Sequence, residues 1–203
     1  MSDECAAART WKNTGWILVG VVAIFAGAAS IELMMGHSLF GPDGKFGWWE
    51  GDIWSKEIDQ RFADPYSFSH LTHGILFFVL LWTVARRVPV SYRFLMAVLL
   101  EAGWELLENS PMMISRFREV TISAGYLGDS VLNSQSDILM MCLGFVFASR
   151  VAVRTAVIVL LLMEIGCGFL VRDNLTLNVI MLVRPTAAIK AWQTAGEPKR
   201  DAH

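Results

Sequence analysis

The sequence predicts an all-α polytopic membrane protein, a helix bundle with about five spans. Three observations carry this. Hydrophobic residues make up 54% of the chain, with a mean hydropathy of +0.45. Charged residues reach only 18%, against about 25% in soluble domains. The apolar residues gather into separate runs close to the ~20 residues that cross a bilayer. Eight Trp and twelve Phe suit the aromatic belts of a membrane protein. The 203 residues read as one integral membrane domain, 1–203.

The first span covers 14–35. Ala26-Gly27-Ala28-Ala29-Ser30 is rich in small residues, as a signal-peptide cleavage region is. The apolar run nevertheless continues through Ile31, Leu33, Met34 and Met35, longer than a secretory core. A retained helix is expected.

The loop 36–66 opens on a turn signal, Gly41-Pro42-Asp43-Gly44. Beyond it Trp49, Ile53, Trp54, Ile58 and Phe62 recur at near-helical spacing, with Asp52, Lys56, Asp59 and Arg61 between them. That pattern predicts an amphipathic helix lying in the membrane interface, with a solvated loop carrying scattered aromatics as the alternative.

Further spans follow at about 67–85, 93–113, 131–149 and 155–171. The run 93–113 is wholly apolar only from Phe94 to Leu100, and 131–149 begins polar. The last span carries one acid, Glu164. Leu175 to Val183 is apolar but nine residues long, about 14 Å as a helix and too short to span. Segment 175–193 is therefore expected to be interfacial or half-inserted, ahead of a basic tail with Lys190, Lys199 and Arg200.

Charge sets the orientation. Arg9, Lys12, Arg86, Arg87, Arg93, Arg150 and Arg154 put seven basic residues in three short connections. The 36–66 loop holds three over some thirty positions. By the positive-inside rule the N-terminus and the Arg-rich turns are cytoplasmic, and the 36–66 and 114–130 loops face outward. A net charge of −2 provides no basic surface for nucleic acid. The three cysteines (Cys5, Cys142, Cys167) lie far apart, with no CxxC pair.

Against this apolar background the polar residues stand out. At 100° per residue Glu101, Glu105 and Glu108 fall at about 0°, 40° and −20°, on one stripe. Asp129, Asn133 and Asp137 repeat at i, i+4 and i+8. His70 and His73 share a helix face at i, i+3. All of these, with Glu32 and His37, gather toward the outer half of the bundle. Ionisable residues within membrane segments are expensive, about 2.5 to 3.5 kcal/mol on insertion scales, and point to function by default. The alternative is structural pairing between helices.

The candidate catalytic residues are accordingly His70, His73, Glu101, Glu105 and Asp137. A histidine can act as general base or proton relay, and two histidines beside carboxylates can hold a divalent metal such as zinc, manganese or iron. Solvated interfacial histidines are the plain alternative. Arg116 and Arg118 are candidates for binding a lipid headgroup or phosphate bidentately, or for neutralising neighbouring glutamates. Asp129 and Asn133 complete the candidate substrate-binding set, although Asp129 or Ser130 also suits a helix N-cap.

The runs Ser-His-Leu-Thr-His-Gly at 69–74, Glu-Ala-Gly-Trp-Glu-Leu-Leu-Glu-Asn-Ser-Pro at 101–111 and Tyr-Leu-Gly-Asp-Ser-Val-Leu-Asn-Ser-Gln-Ser-Asp at 126–137 resemble an uncharacterised family of bacterial multi-pass inner-membrane proteins. The resemblance extends over nearly the whole chain, including Arg-Asp-Asn-Leu-Thr-Leu-Asn at 172–178. It implies location and topology rather than an activity. A looser order of His73, Glu101 or Glu105, Arg116 or Arg118, Asp129 or Asp137, Asn133 and Gly144 is similar to that of VanZ-like membrane proteins, which implies a link to cell-envelope or glycopeptide-related processes. Here the stretch between acid and Asp is longer than in that family.

Three functions fit: a membrane-embedded enzyme acting on a lipid or envelope precursor, a proton- or metal-ion-handling protein, and a non-catalytic scaffold in the lipid bilayer. The sequence holds no GxSxG elbow, phosphate loop or zinc-protease signature. Transport would need polar groups in the inner half, where the sequence has few.

Overall fold

The computed structural model describes residues 11 and 13–197. Arg9, Lys12, Lys199 and Arg200, which entered the charge argument, lie outside the described residues, as does Cys5. The described residues form eight α-helices and one isolated β-bridge, Trp49–Ala63. The helices are α1 (Thr14–Met35), α2 (Ser67–Val84), α3 (Val90–Glu108), α4 (Pro111–Val120), α5 (Val131–Arg150), α6 (Val153–Leu170), α7 (Leu175–Val183) and α8 (Ala187–Thr194).

Four of them, α1, α2, α5 and α6, are long and apolar enough to cross a membrane. These four helices lie over the runs 14–35, 67–85, 131–149 and 155–171. The expected span 93–113 differs. Its helix, α3, is 19 residues long, about 28 Å, but Arg93, Glu101, Glu105 and Glu108 make it too charged to qualify by composition. It also stops at Glu108. Ser110 is extended and accepts a hydrogen bond from the Met113 amide, and Pro111 opens a new helix, α4. A proline there cannot donate to the Leu107 carbonyl, while it is well suited to a first helical position. Arg116 and Arg118 therefore sit on a helix, not in an open loop.

The interfacial helix expected within 36–66 is replaced by successive turns among the described residues. Backbone bonds from Phe62 to the Gly47 carbonyl (2.8 Å) and from Ala63 to the Trp48 carbonyl (3.1 Å) fold the segment on itself. Arg61 pairs with Asp43 at 2.9 Å and Glu57 at 2.7 Å, and Asp59 adopts a left-handed φ of 61° that interrupts a helix. The near-helical recurrence of Trp49, Ile53, Trp54 and Phe62 was too weak to outweigh these contacts. The segment also supports α5, because carbonyls of Asp59, Ser38 and Leu39 accept from the amides of Ser130, Val131 and Leu132. The first turn of α5 leaves amides unbonded within the helix, and the loop satisfies them.

At the centre α2 packs most extensively on α5, while α3 packs against α1, α5 and α2. Gly74 and Gly144 lie at the α2–α5 crossing, where small residues let two backbones approach. α1 and α6 flank the bundle and expose apolar side chains, among them Leu162 at 64% and Phe169 at 83%. Glu101, Glu105 and Asn133 are meanwhile buried. Apolar residues outside and carboxylates inside suit a protein surrounded by hydrocarbon. α7 and α8 are two short helices joined through Arg184 and Pro185, and α7, nine residues long, is too short to span.

Candidate functional site

The two polar stripes meet at one end of the bundle. α2 brings His70 and His73 against Glu101 of α3: His70 Nδ1 lies 2.7 Å from Glu101 Oε1, and His73 Nδ1 lies 2.9 Å from the same oxygen. His70 Nδ1 is also 3.2 Å from Glu105 Oε1, and its Nε2 is 3.8 Å from Asp137 Oδ2 of α5. All five candidate catalytic residues thus belong to one cluster built from three helices. Glu101 and Glu105 are fully buried, and Asp137 nearly so. His73 is the more open histidine, stacked on Phe77 with a ring separation of 5.8 Å.

His70, His73 and Asp137 face a cavity of about 560 Å³. Its polar side continues through Glu108, Asp129 and Asn133. The rest of its lining is mainly apolar, with residues such as Phe77, Leu99 and Leu107 together with Val179 and Leu182 of α7. Trp104 closes edge-on toward His73, with ring centres 6.3 Å apart. Among the described residues lining the cavity there is no Lys or Arg.

Asp129 and Asn133 have specific partners at this end. Asn109 binds Asp129 twice: its Nδ2 donates to Oδ2 at 2.9 Å, and its Oδ1 accepts from the Asp129 amide at 2.6 Å. The Tyr126 hydroxyl donates to Asp129 Oδ1 at 2.8 Å. Burial pushes the Asp129 carboxyl up to about 6, against the opposing pull of these side-chain donors. His37 links the two segments, its ring nitrogens each 3.0 Å from the carbonyls of Asn109 and Asp129. Asn133 donates to the Arg61 carbonyl at 2.9 Å and to Asp64 Oδ2 at 3.2 Å. Ser130, not Asp129, is the N-cap of α5, accepting from the Asn133 amide.

Asp59 and Asp64 add two more buried acids from the preceding loop. The Asp59 amide donates to Asp64 Oδ2 at 3.2 Å. Burial raises both carboxyls above their usual range, and for Asp59 the Asp64 charge adds to the effect. Sequence periodicity gave these two no special status because they lie in irregular backbone. Asn109 and Tyr126 were equally invisible as partners of Asp129, although both lie within the runs that carry the family resemblance.

Arg116 and Arg118 do not reach this cluster. Arg116 donates to the Leu182 carbonyl at 2.9 Å and lies 3.6 Å from Glu119; Arg118 donates to the Tyr126 carbonyl at 2.5 Å. Leu182 and Tyr126 both line the cavity, so the two guanidinium groups brace its wall from behind. Glu164 is also separate: its Oε2 accepts from the Thr176 hydroxyl at 2.5 Å, joining α6 to α7.

A family model described as a protein of unknown function, DUF2585, matches residues 32–195, a range that includes every residue of this site. The chain belongs to the DUF2585 family. Relatives carry the name UPF0314 protein. One from Rhizobium etli strain CIAT 652 is 43% identical over 193 residues, 95% of this chain and 98% of the relative. One from Agrobacterium fabrum is 53% identical over 136 residues, 67% and 69% of the two chains. One from Paracoccus denitrificans is 48% identical over 147 residues, 72% and 76% of the two. No solved structure matches the chain. As an uncharacterised family, its membership agrees with the resemblance drawn from the three sequence runs.

Proposed function

We propose that the protein is an enzyme of the bacterial inner membrane acting on an amphiphilic lipid or cell-envelope precursor. In this reading α3 is a fifth span, and the N-terminus is cytoplasmic. The observation that carries it is the mixed lining of the cavity. Apolar residues such as Leu99 and Leu107 line it together with His70, His73, Glu108 and Asp137. A mainly apolar pocket with a few convergent polar groups is the usual form of a small-molecule site, and an amphiphile would match both kinds of lining at once.

The reactive centre is His70 and His73 with Glu101, and Asp137 and Glu108 are the acids facing the substrate. A histidine beside a buried carboxylate can exchange protons with a bound molecule in either direction. Glu105 orients His70 from below. The acid-rich lining gives an unaccompanied anionic headgroup no direct partner, so the reacting group is neutral, cationic or carried with a cation. A direct hold by Arg116 or Arg118 would require their present carbonyl bonds to open. This weakens that part of the VanZ-like likeness.

Transport is less well supported. Inward of Glu101 the core is mainly apolar, with Ile75, Phe78, Val98 and Phe145 all at most 4% exposed, and Arg93, over the Phe78 ring, is the next buried charged residue along α3. A proton or ion path would need polar groups or water among them.

The test is genetic and chemical. Lipids and envelope precursors are profiled by mass spectrometry in a strain lacking the gene, then after restoring wild type or Asp137→Asn. One amphiphile should accumulate without the gene and be cleared by wild type only, with both proteins at equal membrane levels. No amphiphile accumulating without the gene would overturn the reading, and full clearance by Asp137→Asn would remove Asp137 from the reaction.

A further inference from the structure

We propose that His70, His73 and Glu101 bind one divalent transition-metal ion, zinc, manganese or iron(II), at the floor of the cavity. This rests on the reading of the cavity as a reaction site and names what its centre holds. The first observation is geometric. Two imidazole Nδ1 atoms from one helix converge on a single carboxylate oxygen of another, at 2.7 and 2.9 Å. Ligands at right angles around an ion, each bonded at about 2.1 Å, lie about 3 Å apart. His70, His73 and Glu101 offer one ligand atom each, all within 4.8 Å of one another.

The second observation is independent of that convergence. Glu105 Oε2 and Asp137 Oδ1 are buried without a hydrogen-bond partner, on residues 0% and 3% exposed. Both residues stand beside His70, Glu105 at 3.2 Å and Asp137 at 3.8 Å. A buried carboxylate oxygen left unpaired is costly, and a bound cation would satisfy the group electrostatically. Those two acids, with Glu101 and Glu108, surround the histidines, and no Lys or Arg lines the cavity among the described residues.

Two histidines and one carboxylate form a ligand set typical of catalytic zinc and of mononuclear non-haem iron, in which the remaining positions stay open. Here the open side is defined by burial. Glu101 lies beneath the floor, while His70 and His73 face the cavity. Water or a substrate oxygen would approach the ion from that side, with Asp137 and Glu108 beside it. The histidines then serve as ligands, and proton transfer passes to these two acids. A cation at this position would also give an anionic headgroup the partner that the lining side chains lack.

The experiment uses the full chain in detergent, stripped with a chelator and reloaded separately with zinc, manganese(II) or anaerobic iron(II). Bound metal is counted by mass spectrometry, and thermal unfolding is followed with each ion. At least one ion should bind wild type at about one per chain and raise its unfolding temperature. His73→Ala should weaken binding by at least about tenfold, and Lys45→Ala should leave it unchanged. Cobalt(II) added to wild type should give the visible bands of nitrogen and oxygen coordination, a readout independent of whether any variant folds. Wild type holding less than about one-tenth of an ion per chain in every case would overturn the proposal. So would stoichiometric binding unaffected in a folded His70→Ala/His73→Ala variant. Metal bound as expected while no amphiphile accumulates without the gene would sink the enzyme reading alone.

Discussion

Gly74 of α2 and Gly144 of α5 face each other at the central helix crossing, and neither position has room for a side chain. A Cβ on Gly74 would collide with the backbone of Met141, Gly144 and Phe145; one on Gly144 would strike the Leu71 carbonyl. The crossing fixes the site as well as the core. His70 lies one turn before Gly74 and Asp137 two turns before Gly144, so the close approach sets the 3.8 Å separation of His70 and Asp137.

Gly144→Ala should therefore push α2 away from α5. Overpacking of this kind costs about 1–3 kcal/mol. Thermal unfolding in detergent should occur at a lower temperature than for wild type. Gly166, where a Cβ would meet nothing within 4 Å, provides the control: Gly166→Ala should leave the transition unchanged or raise it, because alanine is the better helix former.

Asn109 joins the end of α3 to the start of α5 through its two bonds to Asp129. Asn109→Ala leaves the Asp129 amide and one carboxylate oxygen short of a buried partner, at a cost of about 1–3 kcal/mol. Hydrogen exchange should quicken at Asp129 and Ser130 while the centre of α5, around Met141, stays protected. Uniform exchange along α5 would show that Asn109 has no such local role.

Asp173 gives a pH dependence outside the spans. It accepts from Gln193 Nε2 at 2.9 Å and Asn178 Nδ2 at 3.1 Å, tying α7 to α8. Burial pushes its carboxyl up to about 7, against about 3.9 in an unfolded chain. The folded form thus binds more protons between those values, and stability falls as pH rises across that window. Loss is complete above about 7. Protection of α8 from hydrogen exchange should be lower at pH 8 than at pH 5, after correction for intrinsic rates, and Asp173→Asn should flatten that difference.

Orientation is open to a chemical test. Lys45 lies in the loop before α2 and Arg87 in the turn after it, both exposed. In a cysteine-free background, Lys45→Cys should react with a membrane-impermeant maleimide from outside the inner membrane, and Arg87→Cys only after the membrane is opened. The reverse pattern would place the cavity at the cytoplasmic face.

Much of the site was legible because helices impose a period. The Glu101, Glu105 and Glu108 stripe and the His70/His73 pair could be aligned by spacing alone, and they do face one another. Less legible were contacts set by tertiary packing across long separations. Nothing local in Arg116 or Arg118 specifies that one would bind the Leu182 carbonyl and the other the Tyr126 carbonyl. The turns of 36–66 likewise depend on Arg61 meeting Asp43, and on α5 needing acceptors for its first amides. The break after Glu108 was different: Ser110 followed by Pro111 is a local capping signal, masked by the apolar Met112, Met113 and Ile114 beyond it.

The central claim is that this cavity binds and transforms an amphiphile. Native mass spectrometry of wild type and Asp137→Asn, each released intact from detergent, tests it most directly. A variant that binds substrate without turning it over should retain one species of defined mass, absent from wild type or much reduced in it, and that species should match the amphiphile accumulating without the gene. Identical spectra for the two proteins, with only bulk membrane lipids bound, would contradict the claim.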